Sequence, residues 1–173
     1  MYKKEPTFEQ AINATIVWCR AWELEELSDE VLADRVAELL INKDGARGFF
    51  AISLTSNCPL MDRLPETLIV QLRAAGETVV DLTVRNMAMS TAMAIHHQRQ
   101  RDFEQQSKSE RITTRSIEIL RLLEPSKVKI RLEILLQATE HKEGKDVAFL
   151  DKWGYDNEQK QAISSKIYSI AQK

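Results

Sequence analysis

Two glycines three residues apart flank an arginine in the stretch KDGARGFF, residues 43–50. Exposed backbone amides beside a basic side chain can bind a phosphate, because both attract anions. A nucleotide-binding P-loop is excluded, since the second glycine is not followed by the lysine and hydroxyl residue that such a loop requires. Two interpretations remain: an anion site that includes Arg47, or a corner between two helices.

The corner interpretation assigns a separate role to each glycine. Gly45 would take a left-handed conformation after the preceding helix, where a residue with a Cβ is disfavoured. Gly48 would let the next helix, from about Ala46 to Ser56, pack closely, with Phe49 and Phe50 as core anchors. This interpretation leaves Arg47 without a structural role, so Arg47 stays a candidate ligand-binding residue.

Adjacent histidines lie in a second candidate stretch, RNMAMSTAMAIHHQRQR, residues 85–101. His96 and His97 could act as bases or ligands, but neighbours on a helix point about 100° apart and chelate one ion together poorly. His141 is the only other histidine, and the sequence contains neither an HExxH nor an ExxH motif. We therefore predict no catalytic residue, no metal site and no cofactor.

The same stretch would form one face of a long helix. Its methionines are typical of an adaptable core, and its small residues would let a partner helix approach closely. A pocket beside this helix is the alternative, and it would bind an anionic small molecule or house an enzyme site. We predict the polar lining of that pocket as Arg47, Arg85, His96, His97 and Arg101.

Charge is distributed unevenly along the chain, although the formal net charge is only −2. Residues 23–44 contain eight acidic and two basic side chains, and residues 96–131 contain nine basic and five acidic ones. These segments could be solvated faces, or complementary surfaces that meet within the fold or across a dimer. Nucleic-acid binding through residues 99–131 is a further alternative, which the mixed acids and the scarcity of aromatic residues argue against.

Nearly the whole chain of 173 residues has helical periodicity. We predict a single all-α domain over residues 1–173, a bundle of about seven to nine helices around one long helix, residues 79–105. Capping patterns predict helix starts at Thr7, Ser28, Ser107 and Asp156. In the first helix, Phe8, Ile12, Ile16 and Cys19 repeat at helical spacing, with Trp18 and Trp22 widening that face.

The compartment is predicted from the N-terminus and the cysteines. The segment MYKKEPTFEQ has no apolar core behind its basic residues, and no apolar run is long enough to span a membrane. Cys19 and Cys58 have no metal-binding spacing, so we expect two reduced, buried thiols, with a disulfide as the alternative. These features predict a cytoplasmic protein.

Two of the stretches above, KDGARGFF and RNMAMSTAMA, resemble a group of uncharacterised, predicted all-helical proteins from cyanobacteria. The similarity covers most of the chain. The resemblance implies an intracellular prokaryotic protein with an α-helical domain. It implies no activity and no catalytic residues.

The sequence as a whole favours a non-enzymatic protein-interaction or regulatory module. The reasons are the absence of a catalytic set, the two charged segments and the small-residue face of the long helix. We expect a homodimer or a complex with another protein, and no association with a membrane. The alternatives kept open are an anionic-ligand binding protein or enzyme, and nucleic-acid binding.

Overall fold

The computed structural model describes residues 5–171, and in that range the chain forms helices joined by turns. Nine α-helices and one short 3₁₀-helix are present there, and none of these residues lies in a β-strand. The α-helices are α1 (Phe8–Glu23), α2 (Asp29–Leu39), α3 (Lys43–Ser53), α4 (Glu66–Ala74), α5 (Glu77–Arg99), α6 (Phe103–Leu122), α7 (Pro125–His141), α8 (Asp146–Lys152) and α9 (Asn157–Ala171); the 3₁₀-helix is Pro59–Asp62. The predicted all-α class and the predicted number of helices are confirmed.

Three of the predicted helix starts are confirmed by their capping hydrogen bonds. The Thr7 hydroxyl accepts the amide of Gln10 at 3.1 Å, and the Gln10 side chain accepts the amide of Thr7 at 3.0 Å. Asp156 and Gln159 exchange the same pair of bonds, each 3.0 Å, at the start of α9. Ser28 caps α2. Each cap satisfies amides of the first turn that have no partner within the helix.

The chain divides into two compact units, Met1–Leu82 and Thr83–Lys173, and the division falls within α5. In the N-terminal unit, α1 packs on α3 and α2 packs on α4. In the C-terminal unit, α7 packs on α8 and on α9. A single domain arranged around the long helix stays a prediction.

The predicted corner at KDGARGFF is right about Gly48 and wrong about Gly45. Gly45 does not follow a helix in a left-handed conformation; it lies in the first turn of α3, where its amide donates to the Asn42 side chain at 2.7 Å. A Cβ there would lie 2.1 Å from the Leu39 carbonyl oxygen. The glycine is therefore required by close approach of the preceding chain, not by its backbone angles. Phe49 and Phe50 are buried, as predicted.

The face of α1 that packs into the core coincides with the predicted stripe only at Cys19. The buried residues are Ala11, Thr15 and Cys19, whereas Ile16 is half exposed. The reason is the approach of α3: a Cβ on Gly48 would lie only 2.4 Å from the Ala11 Cβ. At such a distance only small side chains fit between the two helices, so the larger apolar residues of α1 turn outward.

The long helix ends earlier than predicted. It stops at Arg99 instead of Gln105, and Arg101 then takes a left-handed conformation with φ of 57°. The Asp102 carboxylate accepts the amide of Gln105 at 3.2 Å and so begins α6. Ser107, the predicted cap, lies inside α6. A local side chain-to-backbone bond thus competes successfully with continuation of the helix.

Within residues 5–171, no helix has the length and apolarity that crossing a bilayer requires.

Candidate functional site

Arg47, the predicted anion ligand of the N-terminal unit, has structural partners. Its guanidinium lies 4.8 Å from the centre of the Phe8 ring and pairs with Asp44 at 3.2 Å. Stacking on an aromatic face and a neighbouring carboxylate both use the positive charge. This geometry supplies the structural role that the sequence left open.

The other four predicted site residues belong to the C-terminal unit. Arg85 stacks on the ring of Phe149 in α8, 5.4 Å from its centre. The rings of His96 and His97 lie 5.4 Å apart, edge to face, near the end of α5, and Arg101 is exposed in the turn that follows. None of the five predicted residues lines either of the two concave sites described below.

In residues 5–171, no three histidine, cysteine, aspartate or glutamate side chains come together as a metal site would require.

Two basic residues of the 99–131 segment, one at each end, are bound by acidic ones. Arg99 binds Asp156 at 2.7 Å and Glu158 at 3.0 Å on the surface. Arg131 is buried and forms two hydrogen bonds with Asp146, of 2.5 and 3.0 Å. Neutralised or buried bases contribute little to phosphate binding, so this arrangement gives little support to nucleic-acid binding.

An apolar groove of about 600 Å³ lies in the C-terminal unit, between α6, α7 and α9. We call it the C-terminal groove. Its volume is within the range of small-molecule and peptide sites. It is lined by Leu120, Arg121, Leu123, Pro125, Val128, Lys129, Leu132, Glu133, Leu136, Ile167, Tyr168, Ile170 and Ala171.

The sequence positions the floor of this groove through two helical stripes. Val128 and Leu132 lie on one face of α7, and Ile167 and Ile170 lie on the facing side of α9; all four are buried. Helical spacing of apolar residues is visible in the sequence, but it does not show which side of each stripe stays uncovered. Residues 128–136 of α7 contain more apolar side chains than one buried helical stripe requires. This excess is the sequence signal that could have indicated an open apolar surface.

The rim of the C-terminal groove is polar. Arg121 donates to Glu118 at 2.9 Å and to the carbonyl oxygen of Ser169 at 3.4 Å. Across the described chain, neither Lys129 nor Glu133 has an ion-pair partner. On the rim, Lys129 could therefore pair with an anionic group of a ligand or partner, and Glu133 could pair with a cationic one.

Tyr168 is the aromatic residue of the same rim. Its hydroxyl donates to Glu140 at 2.9 Å. This hydrogen bond raises the pKa of Tyr168, because it favours the neutral phenol over the phenolate. The phenol is thus held as a hydrogen-bond donor beside the groove.

A second concave site, the N-terminal cleft, has a volume of about 520 Å³ and a different character. The Trp22 indole N–H donates to the Asp29 carboxylate at 2.7 Å, which holds the aromatic ring in the wall of the cleft. Three acidic side chains face one arginine, so the cleft is polar and acidic. It is lined by Trp22, Glu23, Glu25, Leu27, Ser28, Asp29, Pro59, Arg63 and Pro65.

The two cysteines lie together in the N-terminal unit. Cys19 and Cys58 are buried and are not joined by a disulfide, as expected from the sequence. The Cys58 thiol donates to the Cys19 carbonyl oxygen at 3.7 Å. Burial, and then the neighbouring Cys58, raise the pKa of the Cys19 thiol to about 12. Their contact could not be read from the sequence, because the fold alone brings the two positions together.

Comparisons with known proteins identify a family without an assigned role. A search of curated proteins and a search of solved structures gave no match. A family model described as "Uncharacterised conserved protein UCP020893" matches residues 7–170, a span that includes the lining of the N-terminal cleft and nearly all of that of the C-terminal groove. The chain therefore belongs to this uncharacterised conserved family.

Proposed function

We propose that this chain is a non-enzymatic protein-interaction module and that the C-terminal groove is its binding surface. The observation that carries the proposal is the groove itself, about 600 Å³ with an apolar floor between three helices. A groove of this kind suits the apolar face of an amphipathic helix, since burying such a face removes apolar surface of both partners from water.

The partner that we propose is a second copy of the chain, which gives a homodimer. Helix α1 exposes Ile16 and Val17 on one side, and Leu24 continues that side at its end. This exposed apolar face of α1 is the type of surface that the groove accepts. Each copy thus supplies both a groove and a helix face, and a closed dimer would form the contact twice.

Charge complementarity supports this choice of partner. Arg20 and Glu23 border the exposed face of α1, and in the described residues neither has an ion-pair partner. The groove rim presents Lys129 and Glu133, which also lack one. Docking of α1 would bring two bases and two acids together, and such pairs mainly set orientation and rate of association.

The test compares two valines of the N-terminal unit that are nearly equally exposed. Val17, on the exposed face of α1, is 63% exposed, and Val70, on α4, is 60% exposed. We expect sedimentation velocity to show a dimer for the wild type, at least a tenfold higher dissociation constant for Val17→Glu, and no change for Val70→Glu. A wild-type chain that stays monomeric at all concentrations would contradict the proposed homodimer.

The groove side has its own matched pair of variants. Leu136 of α7 lines the groove, whereas Ile130 of the same helix is exposed and does not line it. Leu136→Glu should weaken association as much as Val17→Glu does, and Ile130→Glu should leave it unchanged. Equal effects of the two α7 variants would show that the dimer uses another surface.

A second candidate function is binding of an apolar molecule with an anionic head group, and the cations Arg121 and Lys129 on the lining favour it. Dodecanoate is a suitable probe. It should raise the melting temperature of the wild type, and Lys129→Ala should reduce that shift. No shift with dodecanoate would remove this candidate and leave the homodimer proposal untouched.

The compartment and the source also belong to the proposal. We propose a cytoplasmic protein of a cyanobacterium, as the N-terminal sequence and the resemblance of its two stretches imply. Fractionation of cells that express the tagged full-length chain tests the location. Recovery in the periplasm or in the membrane fraction would contradict it.

A further inference from the structure

Two thiols that are far apart in the sequence come into contact in the N-terminal unit. Cys19 lies in α1, and Cys58 directly precedes the 3₁₀-helix. The Cys58 sulfur lies 3.7 Å from the Cys19 carbonyl oxygen, and both cysteines are buried. A bond between two sulfurs requires the two side chains to approach at close range, and this contact places the Cys58 sulfur beside the Cys19 backbone.

The pair is placed beside the N-terminal cleft. Trp22 and Glu23, about one helical turn after Cys19, form one wall of the cleft, and Pro59, next to Cys58, belongs to another part of its lining. A covalent bond between the two sulfurs would therefore join two segments that line the cleft. In the described residues, neither cysteine belongs to a group that could hold a metal ion.

We propose that Cys19 and Cys58 form a reversible disulfide, which makes the N-terminal unit a site of oxidative modification. The bond would tie the second half of α1 to the start of the 3₁₀-helix and close a loop that contains α2 and α3. It would restrict the unfolded chain and hold the two cleft segments together. This proposal is independent of the function assigned to the C-terminal groove.

Hydrogen peroxide is the oxidant that we name, since its small size suits two buried thiols. One thiol gives up its proton as its sulfur attacks one peroxide oxygen and the O–O bond breaks; the products are a sulfenic acid and a hydroxide, which takes up that proton as water. The second sulfur then attacks the sulfenic sulfur, the S–O bond breaks, and a second water leaves. Two thiols lose two electrons, and one peroxide becomes two waters.

The experiment treats the folded, reduced full-length chain with hydrogen peroxide and then alkylates it in urea. We expect the intact mass to fall by two hydrogen atoms, with no alkylation, and dithiothreitol to reverse the change. Trypsin should then release residues 5–20 and 48–63 as one linked peptide. The oxidised chain should also melt at a higher temperature than the reduced one, because the crosslink restricts the unfolded state.

Three outcomes would overturn the proposal. If both thiols are still fully alkylated in urea after the peroxide treatment, the folded chain protects them from peroxide. A gain of oxygen without a linked peptide would show that the two sulfurs do not reach each other in the folded chain. A linked peptide that forms only when the chain is oxidised in urea would show the same. Cys58→Ser serves as the control, since its remaining Cys19 has no intramolecular partner and must not lose two hydrogens.

Discussion

Two buried helix junctions, one in each unit, are held by opposite chemistry. In the N-terminal unit, α1 meets α3 at Gly48, where even a Cβ would lie 2.7 Å from the Phe8 carbonyl oxygen. In the C-terminal unit, α7 meets α8 through the buried pair of Arg131 and Asp146. The first junction depends on the absence of atoms, and the second depends on two charges being present together.

The difference predicts how each junction fails. A close-packed contact gains dispersion energy from nearly perfect fit, so added atoms disrupt it. A buried ion pair is stable only while both charges are satisfied, so removing one of them leaves the other desolvated without compensation. Substitutions at the two junctions should therefore lower the free energy of unfolding by different mechanisms.

Arg131→Ala should be the most damaging of these substitutions. The Asp146 side chain is only 1% exposed and would lose two charge-assisted hydrogen bonds. Breaking a buried pair in this way costs about 3–5 kcal/mol of the free energy of unfolding, which urea denaturation followed by circular dichroism can measure.

Replacing both partners provides the control for that result. Arg131→Met combined with Asp146→Leu removes both charges. Replacing a buried ion pair by apolar residues in this way often leaves the free energy of unfolding unchanged. The double variant should therefore be clearly more stable than Arg131→Ala. If the two were equally unstable, the loss would come from packing and not from an uncompensated charge.

Gly48→Ala should have the next largest effect. Alanine is the better helix former, so an exposed site would gain stability from the change. Here the added Cβ forces α1 and α3 apart, and overpacking of this kind costs about 1–3 kcal/mol in the free energy of unfolding. Urea denaturation measures the loss.

A second change sharpens the same test. Adding Ala11→Gly removes the neighbouring Cβ but leaves the contact with the Phe8 carbonyl oxygen, so it should restore only part of the stability. Unchanged or increased stability of Gly48→Ala alone would contradict the assignment of this junction to close packing.

The smallest effect is expected at an exposed ion pair of the C-terminal unit. The hydrogen bond from Arg99 is the main reason that the pKa of Asp156 is lowered from its ordinary value of 3.8. A lowered pKa stabilises the fold above that ordinary value, and this contribution is lost as the pH falls through the lowered pKa. Solvent screens the pair, so the contribution is much smaller than that of Arg131 and Asp146.

Asp156→Asn tests this expectation in acid titrations of stability. The variant should lose less stability than the wild type when the pH falls below 3.8, because it carries no carboxylate to protonate. Asparagine can still cap α9, so the variant should keep the helix start of the wild type. Identical acid dependence of the two proteins would show that the Arg99–Asp156 pair has no effect on stability.

The parts of the fold that the sequence predicted correctly rest on local chemistry. The caps at Thr7, Ser28 and Asp156 need only neighbouring residues. The end of the long helix was misplaced because two local signals compete there. Ser107 and Asp102 can both cap a helix, and only the backbone at Arg101 shows which one does.

The candidate sites were less predictable, because concave surfaces depend on which stripes remain uncovered. The apolar spacing of α7 and α9 does not show which side of these helices stays open. The partners of Arg47 could not be foreseen from the sequence, since the ring of Phe8 reaches it only after α1 packs on α3. The five predicted site residues remain a prediction for a pocket beside the long helix.

By itself, the sequence determined that this chain is helical and where most of its helices begin, because capping and periodicity act over a few residues. The tertiary structure decided which side of α1 is buried, since the approach of Gly48 admits only small side chains there. It also brought Arg131 to Asp146 and Cys19 to Cys58. Such contacts depend on packing between elements, and no local pattern in the sequence encodes them.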